Sequence, residues 1–500
     1  MLERLPVVVG VGQCTNRIED LAEGREPLAL MTEAARIALD DCGANVAPHV
    51  DSVRVINVFS GAYGDPAGAL AERLGLGGGE RLYTAIGGNG PQWLANRTAD
   101  DLAAGRIRVA LLAGAEAMYT LRLAAKQRVA LAWAQRSARP AMVGDTRMGS
   151  HPDEWLYGAQ MPAQVYPLFE IALRAHEGRA PAAHEARIAA LSASFSRVAA
   201  THPHAWFRDA KSAREVATVT DENRMVAYPY PKFMNAILDV DQGAAVVMTT
   251  AAEARRLGIP APRCVHLHGG GDADDLWYVR DRVDYHSSLG MQAAFEEALT
   301  QAGVDASALG PVDLYSCFPV APQLAAGILG FPVDGSRPLT VTGGLPYFGG
   351  PGNDYALHAI ATLVDRLRTA PTTLGLVSAL GWFLTKHAVG VYGAAPPSRP
   401  WERPPHAAVQ ARIDATPHPT CVERATGRAR IETYSVVHDR DGVAHDAIIV
   451  ARLGDGTRAF ANVEGDRDLL ATLERAEMVG AAGVLYPAAD GRTLFRAAGA

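Results

Sequence analysis

Four side chains in the later half of the chain are of the types that move protons or hydrogen-bond to charged intermediates. Tyr315 and Cys317 stand in the apolar segment DLYSCF, Tyr347 stands in GGLPYFGGPG, and His387 stands in GWFLTKHAVGVYG. A phenol can donate a hydrogen bond to a developing oxyanion, and a thiol or an imidazole can transfer a proton when its pKa is suitable. Each of the four could equally be an interior side chain with a packing role. We take all four as candidate catalytic residues and keep both interpretations open.

Glycine and asparagine residues form a second candidate group, because they occupy turns that lead from a strand into a helix. The segment LYTAIGGNGPQWLANR contains one such turn. It lacks the third glycine of GxGxxG and the lysine of a phosphate-binding loop, which argues against a nucleotide site at this turn. Main-chain N–H groups there can stabilise an oxyanion without any side chain, although asparagine is also common in turns for structural reasons. The candidate substrate-binding residues are Gly88, Asn89, Gly344, Gly350, Asn353 and Gly381.

The composition argues against several classes of function. The 500 residues carry a net charge of −7 and contain no long basic run, so we expect no nucleic-acid partner. The five cysteines are scattered singly, which predicts neither a zinc site nor a disulfide framework, and we expect no metal. No apolar run reaches the roughly 20 residues that span a bilayer, and the first apolar strand leaves no room for a signal peptide. We therefore expect a cytoplasmic protein without a membrane partner.

The elements that must position these residues alternate between strands and helices. After the first glycine turn, Ala95, Ala99 and Leu102 recur at the spacing of an amphipathic helix. Residues 338–368 repeat the order of strand, two glycines and amphipathic helix, and the neighbouring elements repeat as well. The sequence therefore predicts an α/β core built by internal duplication of one half. Its predicted buried strands include residues 7–11, 53–58, 109–113 and 244–249.

Three further segments do not fit the repeat. A stretch at about 119–236 is rich in Met, Trp, Tyr and Pro, and it predicts an inserted loop domain that shapes a binding pocket. The proline-rich segment GAAPPSRPWERPP predicts a linker at 394–406. Short strands and an Asp-Gly turn then predict a small all-β barrel of the OB type, which we expect to be a docking or covering module. The predicted domains are residues 1–265 with the insertion, 266–393, the linker, and 407–500.

The order of these motifs resembles the thiolase superfamily, the acetyl-CoA acetyltransferase-like proteins of lipid metabolism. VVVGVGQ is similar to the first thiolase strand, LLAGAEAM to the strand after the nucleophile helix, DLYSCF to the HDCF motif, and GGLPYFGGPG to the GHP segment. A thiolase core followed by an OB-like barrel resembles the thiolase-like protein type 1 group. The resemblance implies a duplicated α/β thiolase fold of five layers, α-β-α-β-α, with an all-β OB-like C-terminal domain. It also implies a coenzyme A thioester as substrate without a further cofactor, and a homodimer through the core unless the barrel covers that surface.

The chain departs from the thiolase pattern at the positions that carry the chemistry. Counting back from Gly114, the nucleophilic cysteine of thiolases aligns with Gly88, and residues 85–93 contain neither cysteine nor serine. The histidine of HDCF aligns with Tyr315 and the histidine of GHP aligns with Gly350, whereas the HDCF cysteine persists as Cys317. An acyl-cysteine intermediate at Gly88 is therefore excluded.

Three functional hypotheses remain open. In the first, the protein acts on acyl-CoA thioesters as an acyltransferase or in carbon–carbon bond chemistry, through a backbone oxyanion hole. In the second, it is a retro-aldolase-type lyase on β-hydroxyacyl-CoA, with Tyr315 as base and Gly88 or Gly344 in the oxyanion hole. In the third, it binds acyl-CoA or a partner protein without catalysis.

Overall fold

A computed structural model describes residues 4–133 and 141–498 of the chain. Residues 134–140 of the predicted insertion, and the first three and last two residues of the predicted domains, lie outside this description. The elements of the first half are β1 (Pro6–Thr15), α1 (Pro27–Asp41), β2 (Ser52–Val55), α2 (Pro66–Leu74), β3 (Glu80–Tyr83), α3 (Gly90–Ala103) and β4 (Val109–Ala117). They continue with α4 (Met118–Gln127), α5 (Pro152–Leu156), α6 (Pro162–His176), α7 (Pro181–Thr201), α8 (Ala213–Ala217), β5 (Met225–Tyr228), β6 (Tyr230–Pro231), β7 (Asp241–Thr250) and α9 (Ala251–Arg256).

The second half repeats several of these elements and leads into a β domain. Its elements are β8 (Val265–Asp274), α10 (Leu289–Ala302), β9 (Leu309–Asp313), α11 (Val320–Leu329), α12 (Tyr355–Arg368), β10 (Leu374–Gly381) and β11 (Lys386–Gly393). The C-terminal elements are α13 (His406–Asp414), β12 (Gly427–His438), β13 (Ala444–Leu453), β14 (Arg458–Glu464), α14 (Arg467–Arg475), β15 (Ala482–Pro487) and β16 (Thr493–Ala497).

The core strands form one nine-stranded sheet in the order β3-β2-β4-β7-β1-β8-β11-β10-β9. The first five strands belong to the first half and the last four to the second half. The halves meet where β1 pairs with β8, through Val7 with His266 and Val8 with Val265. Because this pairing is short, the sheet consists of two half-sheets that are joined along the edge strands β1 and β8.

Helices cover both faces of each half-sheet. Helices α3 and α12 contact each other and strands of both halves, so they form the middle layer. Helices α1 and α2 cover the outer face of the first half-sheet, and α10 covers the outer face of the second. The layers run α-β-α-β-α, which confirms the predicted fold. The apolar residues at helical spacing in α12, Leu357, Ile360, Val364 and Leu367, are all fully buried.

The repeat is incomplete before the second glycine turn. The pattern predicts a strand at the start of 338–368, but the structure has none there, and Leu314 N–H donating to the Leu339 carbonyl (2.9 Å) is the remnant of strand pairing. The Asp313 carboxylate explains the difference, because its Oδ2 accepts from the N–H groups of Val341 (2.9 Å) and Thr342 (3.3 Å). A buried side chain thus takes the donors that a neighbouring strand would use.

The C-terminal domain is a closed five-stranded barrel, as predicted. Strands β12, β13, β14, β16 and β15 follow each other around it, and β15 pairs back to β12. The inserted hairpin β5–β6 extends the sheet on the other side of β12, which also packs on α6. Fully buried Arg458 joins barrel and core, because it donates to the carbonyls of Arg280 (2.9 Å) and Arg282 (2.5 Å) and pairs with Glu432 (2.7 Å). None of the described helices has the length and apolarity to cross a membrane.

Candidate functional site

The first glycine turn connects β3 to the buried helix α3 and is held by residues from the second half. Gly87 N–H donates to Asn353 Oδ1 (2.9 Å), and Asn353 Nδ2 donates to the Asn57 carbonyl (3.0 Å). Lys386 Nζ donates to the Ile86 carbonyl (2.9 Å). The N–H groups of Gly88 and Asn89 donate to no residue in the described part of the chain. The turn therefore presents two fixed, unpaired donors at the start of a helix, where the helix dipole also favours negative charge.

The phenol of Tyr315 fills the space beside Gly88, the residue that the thiolase resemblance aligns with the nucleophile. A Cβ atom placed on Gly88 would overlap the Tyr315 hydroxyl and would lie 2.8 Å from its Cζ and 2.6 Å from the Leu380 carbonyl oxygen. Glycine is thus required for Tyr315 to reach the turn. The ring packs edge-on against Tyr355, with centroids 5.5 Å apart. Burial raises the pKa of Tyr315 above its ordinary value, so the hydroxyl is protonated at neutral pH and can act as a donor.

Cys317 lies in the interior beside other aromatic side chains. Burial raises the pKa of its thiol to about 12, and a hydrogen bond with Tyr166 opposes that shift only in part. The thiol is therefore protonated at neutral pH in this state. Tyr166 in turn donates to the Trp382 carbonyl (2.9 Å). These surroundings favour the interpretation of Cys317 as a small buried side chain.

Tyr347 and Ser316 place two unsatisfied hydroxyl groups in one narrow space. Both side chains are buried, and neither hydroxyl has a hydrogen-bond partner among the described residues. They line a void of about 10 Å³, and a Cβ on Gly344 would lie 2.5 Å from Ser316 Oγ. Burial raises the pKa of Tyr347, which keeps it a donor. Leaving such a group unpaired costs about 1–3 kcal/mol, so the pair is suited to a polar ligand atom or water.

The remaining glycines differ in whether their N–H groups are free to bind a ligand and in how closely other groups approach them. Gly344 N–H donates to Thr342 Oγ1 (3.3 Å), and Gly350 N–H donates to the Ile237 carbonyl (2.8 Å), so neither is free for an oxyanion. Gly381 permits a close approach, because a Cβ on it would lie 2.6 Å from Asn89 Oδ1. The structure therefore brings Gly88, Asn89, Asn353 and Gly381 together, and it places Gly344 beside the Ser316 hydroxyl instead.

His387 lies in a buried hydrogen-bond network near the start of α10. Its Nε2 is 3.0 Å from the Leu384 carbonyl and 3.2 Å from Ser288 Oγ, and Ser288 donates to Asp275 Oδ2 (2.6 Å). Because a carbonyl only accepts, Nε2 carries the proton and Nδ1 keeps its lone pair. Burial lowers the pKa of His387 to about 4, so the ring is neutral at pH 7. With Tyr315 it lines a void of about 10 Å³.

Lys386 and Ser316 were missed by reasoning from the sequence. Lys386 is buried, and besides Ile86 it donates to the Asp145 carbonyl (2.8 Å). Burial lowers the pKa of its ammonium group. Its stem and Asn89 line a pocket of about 260 Å³ with Asp274, whose pKa burial raises to about 6. The available signals were a lysine directly before His387 and a hydroxyl between Tyr315 and Cys317.

The comparisons with known proteins agree with the fold described above. A family model described as the thiolase-like protein type 1 additional C-terminal domain matches residues 408–489. Two solved structures share the fold at low identity. The Ltp2-ChsH2(DUF35) aldolase has 19% identity and a TM-score of 0.60, covering 79% of this chain and 98% of that one. An acetyl-CoA acetyltransferase from Syntrophomonas wolfei has 16% identity and a TM-score of 0.56, covering 78% and 99%.

No curated protein matches the chain. A crystal structure described as a monomeric SCP2-thiolase like protein type 1 from Mycobacterium smegmatis matches it closely, with a TM-score of 0.85. The two share 34% sequence identity over 99% of this chain and 100% of that one. The chain therefore belongs to the SCP2-thiolase-like protein type 1 family, as its motifs indicated.

Proposed function

We propose that this protein acts on acyl-CoA thioesters by carbon–carbon bond chemistry through an enolate, without an acyl-cysteine intermediate. The observation that carries the proposal is the neutral phenol of Tyr315 lodged at Gly88, beside the unpaired N–H groups of Gly88 and Asn89. Preorganised donors of this kind stabilise negative charge on a thioester oxygen. An acyl-enzyme has no support, because the turn carries no nucleophile and the Cys317 thiol stays protonated.

Cleavage of a β-hydroxyacyl-CoA is the direction that this donor set suits. A base takes the β-hydroxyl proton, the Cα–Cβ bond breaks, and its electron pair moves into the thioester as an enolate. Protonation at Cα then gives a shortened acyl-CoA and an aldehyde or ketone. Tyr315 serves as the donor to the enolate, which revises the base role that the retro-aldolase hypothesis gave it, because its raised pKa makes the phenolate inaccessible at pH 7. His387, with its free Nδ1, is the candidate base.

Binding of acyl-CoA without catalysis is the second candidate. The voids beside Tyr315 and Tyr347 hold only about 10 Å³ each, too little for a thioester, and the larger space at this turn is the pocket of about 260 Å³ that Asn89, Lys386 and His387 line. A protein that only sequesters thioesters needs no such space at Gly88. Direct acyl transfer between thioesters requires even more room at the same turn, so we rank it below both.

The test is a panel of β-hydroxyacyl and β-ketoacyl thioesters, analysed by mass spectrometry for carbonyl products and by a thiol reagent for free CoA. We expect a carbonyl product without release of thiol. Tyr315→Phe should lower kcat by about 10²–10³-fold, the usual effect of removing an oxyanion donor. Tyr486→Phe, on the barrel strand β15, is the matched control and should leave turnover unchanged.

Two outcomes would decide against catalysis. Binding of CoA thioesters without any product would leave the non-catalytic function, and absence of binding would exclude both. Full turnover in Tyr315→Phe would remove the phenol from the mechanism while leaving the rest of the proposal to be re-examined.

We also propose that the chain is a monomer. The C-terminal end of the edge strand β3 pairs with its own chain, because Val143 N–H donates to the Tyr83 carbonyl (2.8 Å) and the Val143 carbonyl accepts from Ala85 N–H (2.8 Å). A bridge at this end shortens the edge that a second sheet could pair with. The related structure from Mycobacterium smegmatis, described as monomeric, supports this proposal over the dimer that the thiolase resemblance implied.

A further inference from the structure

A cationic pocket lies on another face of the core, apart from the first glycine turn. It has a volume of about 450 Å³ and shares no lining residue with the pocket beside Lys386. The side chains that matter in it come from the loop after β1, from α4, from the loop after α7 and from the segment before β7. They are Arg17, Tyr119, Arg122, Trp206, Phe207 and Lys232.

The charge of this pocket is opposite to that of the chain as a whole. Three cations line it against one carboxylate, Asp239, in a chain with a net charge of −7. Arg122 pairs with Asp239 at 3.3 Å, and Arg17 donates to the Ala205 carbonyl. Lys232 is exposed, and its ammonium group pairs with no residue in the described ranges. The pocket therefore offers an uncompensated positive charge to a soluble anion.

The same pocket also presents aromatic faces. The rings of Tyr119 and Trp206 have centroids 5.2 Å apart, and the Arg17 guanidinium lies 5.9 Å from the Trp206 ring. Phe207 leaves 43% of its surface exposed beside them. An exposed ring and an unpaired ammonium group beside two further guanidinium groups suit a ligand that combines a planar ring with anionic groups, since the ring stacks and the charges pair.

The aromatic wall is rigidly connected to the second glycine segment. Trp206 N–H donates to the Phe348 carbonyl (2.7 Å), and Phe207 N–H donates to the Tyr347 carbonyl (2.9 Å). The backbone that carries two rings of the pocket is therefore hydrogen-bonded to the segment that carries Tyr347. The wall is fixed before any ligand arrives, which reduces the ordering cost of binding.

From these contacts we infer that the pocket binds a nucleoside phosphate, with the base against Phe207 and Trp206 and the phosphates against Lys232, Arg17 and Arg122. Two sources share this chemistry, a free nucleotide and the nucleotide end of a CoA thioester. The inference does not depend on the proposed reaction, because a nucleotide can bind here whether or not the turn at Gly88 is catalytic.

Titration calorimetry of the full chain tests the inference with four probes: CoA, adenosine 3′,5′-bisphosphate, AMP and inorganic phosphate. We expect the nucleotides to bind and inorganic phosphate to bind at least tenfold more weakly, since the ring contacts are lost. Higher salt should weaken nucleotide binding because the charges are exposed. If CoA binds more tightly than the bisphosphate, the pocket takes the nucleotide end of a CoA thioester; if CoA binds more weakly, the pantetheine arm is excluded and the source is a free nucleotide.

Two variants test separately how the charge and the aromatic ring contribute to nucleotide binding. Lys232→Gln removes a cation without breaking any described interaction and should weaken nucleotide binding about tenfold, the worth of one hydrogen bond to a charged group. Phe207→Ala should weaken the nucleotides but not inorganic phosphate. Arg496→Gln removes an exposed arginine over Tyr486 on the barrel, 5.0 Å from the ring, and as a matched control should change nothing.

Absence of nucleotide binding, equal binding of inorganic phosphate, or unchanged affinity in both variants would overturn the inference. The proposed reaction is tested separately, because Tyr315→Phe should lower kcat by about 10²–10³-fold and leave nucleotide affinity unchanged. Turnover that survives in a protein without nucleotide binding would reject this pocket and keep the reaction. Nucleotide binding in a protein without turnover would keep this pocket and reject the reaction.

Discussion

Replacing Gly88 by alanine should destabilise the protein because the new methyl group has no space. The added Cβ would overlap the Tyr315 hydroxyl and lie 2.6 Å from the Leu380 carbonyl oxygen. The phenol can shift only by disturbing its edge-on contact with Tyr355, and the Leu380 oxygen is main chain within β10. Gly88 is not in the left-handed region, so the substitution adds no backbone strain and its effect comes from the contacts alone.

The size of the effect follows from two opposing contributions. A Gly-to-Ala change at a compatible backbone position gains about 0.4–1 kcal/mol, because the unfolded chain loses freedom. Overpacking in a closed core costs about 1–3 kcal/mol, and the main-chain contact at Leu380 places Gly88→Ala in the upper part of that range. We therefore expect the free energy of unfolding to fall by about 1–2 kcal/mol overall.

Urea unfolding of matched variants measures this difference. Gly77→Ala is the control, since Gly77 also lies outside the left-handed region and a Cβ there would meet nothing within 4 Å. It should be neutral or slightly stabilising. In Tyr315→Phe the overlap with the hydroxyl disappears while the Cζ contact at 2.8 Å remains, so Gly88→Ala should cost less in that background. Equal stability of Gly88→Ala and Gly77→Ala, or additive effects in the double variant, would refute the placement of the phenol.

Four further expectations concern other parts of the molecule. Arg458→Met should lower the free energy of unfolding by about 3–5 kcal/mol, because it leaves the Arg280 and Arg282 carbonyls without their donor and Glu432 with Arg452 alone. Arg403→Gln should speed proteolysis of residues 394–406, since Arg403 ties the linker to the core through Asp272, Asp100 and Glu297. His387→Gln should lose less stability than the parent chain on acidification. In the parent chain a folded pKa of about 4 keeps His387 neutral, while the unfolded histidine binds a proton below about pH 6.5. This difference in pKa corresponds to a loss of unfolding free energy on the order of 3 kcal/mol. Light scattering after gel filtration should give the mass of one chain.

Two of these have a matched control variant, and the others have an outcome that would contradict them. Arg496→Gln, an exposed arginine on the barrel, should leave stability unchanged, and His418→Gln is the exposed counterpart of His387→Gln. A parallel pH dependence of His387→Gln and the parent chain between pH 7 and pH 4 would contradict the buried neutral imidazole. An unchanged cleavage rate in Arg403→Gln would show that the linker is held elsewhere, and a dimer would show that the Val143 segment does not protect β3.

The fold could be predicted from the sequence because it follows from local patterns of residues. The glycine turns, the helical spacing in α3 and α12 and the Asp-Gly turn between β13 and β14 each follow from neighbouring residues. The missing strand before α12 was not accessible, because Asp313 diverts the N–H groups of Val341 and Thr342 through its own side chain. The buried carboxylate of Asp313 thus prevents a strand that the local residue pattern alone predicts.

The candidate site was accessible only in part, for the same physical reason. Gly88 could be located by counting along the chain, but Lys386 holds the carbonyl of Ile86, a residue 300 positions away. Nothing in the surrounding sequence marks that contact. Ser316 is similar, because its importance comes from being buried without a partner beside Gly344 and not from its type.

The glycine at position 88 and the tyrosine at position 315 are best understood as one coupled change. A cysteine at 88 and the observed phenol cannot share the same space, since any Cβ at 88 overlaps the hydroxyl. The space beside Gly88 is filled by the phenol, and the Ile86 carbonyl and the Gly87 N–H are held by Lys386 and Asn353. The unpaired N–H groups of Gly88 and Asn89 remain beside a protonated phenol. That combination of donors favours a carbonyl group with growing negative charge, and it offers nothing that could carry an acyl group.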